Sequence, residues 1–325
     1  MKIPPIVYIS GSGRSGTNIL KEILSNHSKC GALPFEYRFT IDPGGIVDFY
    51  NSYTNNWSPY AADLKIKQLR SFLLNMAKRD KLAHAMNGWL KQNEENRYLI
   101  EGPYAGWELE NWFPGYTKFV NQLIDSLTSF SYQGVWPGLK SIHEPSQMIF
   151  APPYTQEELG QKLSTFLYQC FNSFLQKENK EVFIEDNTWS VLYAKSLFDL
   201  TLDAKLVHII RDPRDVIASL MHQRWTPNEL KHVVEWYKHV METWSKNKAT
   251  LSKNQFIEIK LEDLIENTKG TLTSLCSFID LPFEEALLDI SLKNSNTGRF
   301  KNEFAAEEIV LIEEELAGII SAYNY

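Results

Sequence analysis

Gly11-Ser12-Gly13-Arg14-Ser15-Gly16-Thr17-Asn18 joins two periodic segments of the chain. Ile6-Val7-Tyr8-Ile9-Ser10 before it is a short apolar run of the kind buried in a parallel sheet. After it, Ile19, Leu20, Ile23 and Leu24 recur at helical spacing within Gly16–Asn26. Strand, glycine loop, helix is the context in which backbone N–H groups and the positive end of a helix dipole wrap an anion. Gly11 and Gly16 keep the spacing of a triphosphate loop, Gly-x-x-x-x-Gly-Lys-[Ser/Thr], but Thr17 takes the lysine place and Asn18 that of the magnesium-binding hydroxyl. The charge sits instead inside the loop at Arg14, which can clamp a leaving phosphate without a metal. Phosphate contacts are therefore expected at Gly13, Arg14, Ser15, Gly16, Thr17 and Asn18, and no metal ligand.

A second anion grip follows the apolar run Lys205–Ile210. Arg211 lies where that run ends, the end at which open α/β sheets bind ligands, and Ser219 falls eight residues on, about two turns into the next helix. A charged fork and a hydroxyl donor suit one phosphate; an ion pair from Arg211 to Asp212 or Asp215 is the structural alternative. Two separate grips suit a nucleotide with phosphates at two places better than ATP.

Arg14-Ser15-Gly16-Thr17 and Arg211-Asp212-Pro213-Arg214-Asp215-Val216-Ile217-Ala218-Ser219 together resemble the sulfotransferases that use 3′-phosphoadenosine-5′-phosphosulfate (PAPS), in motif style the bacterial and tyrosylprotein types. The resemblance covers residues 5–38 and 180–325 and not 40–140. It implies that the first loop holds the phosphosulfate and that Arg211 and Ser219 hold the 3′-phosphate of PAPS or of its desulfated product, PAP. Asn296-Thr297-Gly298-Arg299-Phe300-Lys301 is similar to a late Gly-x-Trp-Lys motif that closes over the same phosphate, with Phe300 for Trp, so Arg299 and Lys301 are expected contacts and Lys293 a further candidate. Leu261-Glu262-Asp263-Leu264 matches a family Tyr-Glu-Asp-Leu. Three positions depart from the pattern: Ile19 and Leu261 stand where adenine-contacting Trp and Tyr occur, and Asp186 stands in Glu185-Asp186-Asn187-Thr188 where many members carry a lysine.

The acceptor hydroxyl must lose a proton. Glu36, in Pro34-Phe35-Glu36-Tyr37-Arg38, falls where related sulfotransferases place a catalytic Glu after the first helix, with an ion pair to Arg38 as the alternative role. Asp186 is the second candidate base, with a helix N-cap as its alternative. Arg14 is expected to stabilise the leaving oxygen, positioning and electrostatics dominating as in phosphoryl transfer. His143, His208 and His222 read as core or surface histidines.

These residues must be held by an α/β fold: a doubly wound, mostly parallel sheet flanked by helices, P-loop-NTPase-like and of the sulfotransferase kind. Strand patterns at Val182–Glu185, Lys205–Ile210 and Phe256–Ile259 alternate with helical ones at Gln156–Lys177, Val191–Leu200, Pro213–His222 and Pro227–Thr250. Residues from about 40 to 140 break the alternation. They hold a helix near Leu64–Lys78 and many aromatics, among them Trp57, Tyr60, Trp89, Tyr98, Tyr104, Trp107, Trp112, Phe113, Tyr116 and Trp136. We read the 325 residues as a single domain with this stretch as an acceptor-side insertion, most of its aromatics packing its own core. A net charge of −7 argues against nucleic acid as a partner. Cys30, Cys170 and Cys276 are too scattered for a zinc site or a disulfide framework. No run approaches the about 20 apolar residues of a membrane span, and no secretory leader is apparent, so a cytoplasmic protein is expected. The acceptor is a small molecule, a glycan or a lipid-like molecule. The rival readings are a P-loop kinase, which needs the lysine this loop lacks, and a non-catalytic PAP-binding protein.

Overall fold

The computed structural model describes residues 2–78, 104, 106–136, 144–290, 292 and 296–325. Trp89, Tyr98, His143 and Lys293 lie outside these. The chain divides into two compact units, one of Tyr37–Asn179 with the first four residues, the other of Pro5–Glu36 and Lys180–Tyr325.

The second unit is built on a five-stranded sheet. β1 (Ile6–Gly11) is followed by helix α1 (Thr17–Ser25) and a short edge strand, β2 (Cys30–Ala32). Further along come β5 (Val182–Glu185), β6 (Lys205–Ile210) and β7 (Phe256–Lys260), numbered after the two strands of the other unit. The order is β2-β5-β1-β6-β7, and every neighbouring pair is parallel. β1 is buried along its whole length, as a central strand of a sheet covered on both faces must be. Val7, Ile9, Leu20, Ile23, Leu24, Val207 and Ile209 share one core with Leu261, Leu264 and Leu275. A second core joins Val216, Ile217 and Leu220 to Val233, Tyr237 and Ile312.

Several boundaries differ from the sequence reading for local reasons. The helix expected from Pro227 runs Leu230–Lys248, and Pro227 stands outside it, just after Thr226, whose Oγ1 donates to the carbonyls of Leu220 and Gln223. Pro213 instead opens the Pro213–Leu220 helix, with Asp212 as N-cap accepting from Arg214 N at 2.9 Å. The helix expected over Val191–Leu200 starts as a 3₁₀ segment, Thr188–Tyr193, and becomes α-helical at Ala194.

The other unit contains α2 (Ile46–Asn55), α3 (Pro59–Ala77), the helices Tyr116–Leu127 and Gln156–Glu178, and an antiparallel hairpin of β3 (Phe130–Gly134) and β4 (Ser146–Phe150). The Gln156–Glu178 helix, set apart in the sequence reading, belongs to this unit. It opens with a capping box between Thr155 and Glu158. Its core is aromatic: Phe39 packs on Phe113, Tyr116 and Phe166 with ring centroids 5.7–5.9 Å apart. Trp136 differs, being partly exposed and stacked on Tyr60 at 3.7 Å.

Candidate functional site

Three strand ends in the second unit carry the residues singled out in the sequence. β1 lies between β5 and β6, so the segments leaving the carboxyl ends of these strands converge at the point where the strand order reverses.

The segment after β1 is shaped as an anion cradle. Gly13 (φ 82°), Arg14 (φ 56°) and Gly16 (φ 111°) are all left-handed. Glycine takes that conformation freely, whereas Arg14 does so at a cost of about 1–2 kcal/mol. At Gly11 a Cβ would lie 2.1 Å from Ser15 Oγ and 3.0 Å from the Ile209 carbonyl oxygen, so a larger residue would displace the Ser15 hydroxyl. Gly16 offers α1 no side-chain cap, and no acidic residue stands in the helix's first turn. Its N–H groups and dipole therefore stay open to an external anion. The side chain of Ser15 is buried and its Oγ has no hydrogen-bond partner among the described residues, a group a bound phosphate would satisfy. Thr17 is buried and Asn18 exposed.

The segment after β6 meets this cradle directly. Arg211, 6% exposed, donates through Nη1 to the carbonyl of Arg14 at 3.3 Å and through Nη2 to that of Asn296 at 2.7 Å. Arg14 Nε donates to Ser219 Oγ at 3.0 Å. Arg14 thus bridges the two grips. Arg211 Nη2 also lies 3.6 Å from Asp215, the ion pair weighed from the sequence, while its Nε is buried without a partner among the described residues. Burial pulls the Arg211 guanidinium below its ordinary pKa, opposed by Asp215 and Glu262 and reinforced by nearby Arg299. A phosphate there would offset the cost of that burial with its charge and pair the orphaned N–H.

Asp215 organises the late loop. Its buried carboxylate accepts from Gly298 N at 2.7 Å and Phe300 N at 3.1 Å. Phe300 packs its ring against the Arg214 guanidinium at 4.5 Å, and Arg214 is fixed by Asp212 and Glu313. Arg299 is engaged by Glu303 at 2.6 Å, and Lys301 is exposed with its ammonium 5.8 Å from the Phe300 ring.

After β5 come the carboxyl groups. Glu185 is buried, and that burial pushes its carboxyl well above the usual range; hydrogen bonds from Asn187 and Ser190 oppose the shift, and the charges of Asp186 and Glu36 add to it. Asp186 is not a helix cap. Its Oδ2 forms an ion pair with the Lys21 ammonium of α1 at 2.8 Å. Glu36 Oε1 accepts from Thr188 Oγ1 at 2.9 Å, which ties the segment after β2 to the one after β5. Arg38 lies 3.8 Å from Asp42.

Beside the cradle stands a group the sequence reading did not pick out. The rings of Trp189, Trp225 and Trp236 lie 5.2–6.0 Å apart, edge to face. A Cβ on Gly13 would come within 3.3 Å of Trp225 and 3.4 Å of Trp189, and Trp225 is 53% exposed. The three residues are spread over almost fifty positions, so only folding groups them. Lys21 was missed as well, though it falls on the apolar face of its helix, and Asp215 was weighed only as an ion-pair partner of Arg211, not as the acceptor that holds the late loop. Leu261 is buried and would sit 3.1 Å from a Cβ on Gly16, so it backs the loop. Of the histidines, His208 is buried beside Glu258 and His222 pairs with Glu303.

A parallel sheet with a glycine-rich loop opening a helix and a buried arginine at its switch point defines an α/β protein whose strand ends are shaped to receive an anion. The chain belongs to the sulfotransferase family, whose sequence model matches residues 5–285. Curated relatives include Sulfotransferase 2A1 of Rattus norvegicus, 28% identical over 38% of this chain and 48% of the relative. Sulfotransferase 2A6 of the same species is 32% identical over the same shares. A 3-alpha-hydroxysteroid sulfotransferase of Cavia porcellus is 27% identical over 32% of this chain and 40% of its own. The chain thus spans about half the length of the curated relatives it matches. Among solved structures, the sulfotransferase domain of the Synechococcus PCC 7002 olefin synthase superposes with a TM-score of 0.49 at 16% identity, over 98% of this chain and 96% of that one.

Proposed function

We propose that the chain transfers the sulfuryl group of PAPS to the hydroxyl of a small-molecule acceptor, and that its two units act as one catalytic domain. The observation that carries this reading is the bridge made by Arg14, whose backbone carbonyl meets Arg211 and whose guanidinium meets Ser219. Two anion grips held this close fit a nucleotide phosphorylated at both its 5′ and 3′ positions. A triphosphate fits poorly, because Thr17 and Asn18 stand where its lysine and magnesium ligand would be needed.

In the reaction the acceptor oxygen forms a bond to sulfur. The bond from sulfur to the bridging phosphate oxygen breaks, and its electron pair leaves on the 5′-phosphate of PAP. The hydroxyl proton passes to a carboxylate. We assign that role to Glu36, which Thr188 orients, rather than to Asp186, which already faces an ammonium. Arg14 and the N–H groups opening α1 offset the charge growing on the leaving phosphate. Gly13, Ser15, Gly16, Thr17 and Asn18 line the 5′ side, and Arg211, Ser219, Arg299 and Lys301 the 3′ side.

The acceptor carries a flat, largely apolar face. Trp225 with Trp189 and Trp236 offers such a molecule a stacking wall next to Gly13, and the hydroxysteroid enzyme among the relatives points the same way. A non-catalytic PAP-binding protein is the second reading, favoured by Asp186 at a place where a cation would help transfer. Glu36→Gln decides between them. It is expected to keep PAP affinity and lose at least about 100-fold in turnover with a panel of hydroxysteroids and phenols and labelled PAPS. Unchanged turnover removes Glu36 as the base, and no transfer by the unaltered chain to any acceptor favours the binding protein.

A further inference from the structure

Lys21 is the one basic residue on the buried face of α1, among Leu20, Ile23 and Leu24, and it is 8% exposed. Helical side chains lean toward the N-terminus of their helix, so the Lys21 stem leads back toward the cradle end. Its ammonium ends 2.8 Å from Asp186, itself 3% exposed. A buried ion pair is a poor device for stability, since removing both charges from water offsets most of their attraction. The position of this pair suggests another use. Asp186 follows Glu185 directly and lies two residues before Thr188, the donor to Glu36, so three carboxyl groups gather at this strand end. Burial pushes the Glu185 carboxyl well above the usual carboxylate range. Asp186, left alone, would add a buried negative charge where an anionic donor must approach.

We infer that Lys21 is a positioning residue of this site: by neutralising Asp186 it lets the strand end after β5 accept the negatively charged sulfuryl group. The inference rests on the PAPS reading, and it makes donor and product respond differently to one substitution. PAPS places an anionic sulfuryl group at this strand end, whereas the 5′ charge of PAP stays further back on the phosphate, so repulsion from Asp186 without Lys21 weighs more on PAPS than on PAP.

The test is equilibrium titration of the full chain with PAPS and with PAP, which needs no acceptor. Lys21→Met is expected to weaken PAPS at least about tenfold and PAP by less than about threefold. Lys21→Met/Asp186→Asn, which removes both charges, is expected to bring PAPS back to within about threefold of the unaltered chain. Lys21→Arg keeps the charge and should keep PAPS affinity. Equal weakening of both nucleotides, or a double variant no better than the single one, overturns the inference. If Lys21→Met fails to fold, Asp186→Asn alone reads the same coupling: it leaves the ammonium unopposed and should tighten PAPS relative to PAP, and an unchanged ratio overturns the inference. Failure of the unaltered chain to bind either nucleotide would instead sink the PAPS reading itself.

Discussion

Arg211 is nearly enclosed, yet its Nε has no partner among the described residues, its Nη groups donate to the backbone carbonyls of Arg14 and Asn296, and the Asp215 carboxylate lies 3.6 Å away. A guanidinium in that state is under-satisfied, and an anion completing its fork would form charge-assisted hydrogen bonds worth about 1.5–3 kcal/mol each. Arg211→Ala should therefore weaken PAP by at least about 30-fold and change AMP, which has no 3′-phosphate, by less than about fivefold. Equal losses for the two nucleotides in a competition assay would mean that Arg211 does not read the 3′-phosphate. This residue was legible in the sequence because its chemistry, its place at a strand end and its spacing to Ser219 are all local. Lys21 was not, because its partner Asp186 is far away in the sequence and no local pattern names it.

Among the elements, the late loop is fastened to the buried carboxylate of Asp215. Gly298 (φ 77°) lets the backbone turn so that its own N–H and that of Phe300 both point at Asp215. Asp215→Ala removes both hydrogen bonds and the carboxylate facing Arg211. It should destabilise the protein by about 2–4 kcal/mol, seen as a lower melting temperature, and weaken PAP as well. A variant with unchanged melting temperature and PAP affinity would show that Asp215 does not hold this loop. The main elements were readable to within a few residues wherever apolar periodicity was strong, as in β1, β6 and the Gln156–Glu178 helix. β2 escaped because Cys-Gly-Ala is too short to show a period. β3 escaped because it is exposed over nearly its whole length and leaves no alternation. The start of the Leu230–Lys248 helix was misplaced because a preference for proline at the first helical position does not require every proline near a helix to occupy it.

On the scale of the whole molecule, the sheet order does what no local motif can. Setting β1 between β5 and β6 brings together segments that start almost two hundred residues apart in sequence. The family's two loops could be read one at a time, but their joining through Arg14 and the gathering of three tryptophans around Gly13 depend on that crossover. No described helix is long and apolar enough to cross a membrane. The net charge of −7 makes the basic cluster at Arg14 and Arg211 a local feature working against the overall charge of the chain, so its binding should be selective for ligands that fit both grips. Calorimetric titration of the full chain with PAP, AMP and ATP, each with EDTA and again with magnesium, tests this most directly. The account predicts that PAP binds without magnesium and at least about 30-fold more tightly than AMP. PAP and AMP binding alike, or tight binding of magnesium ATP alone, would contradict it.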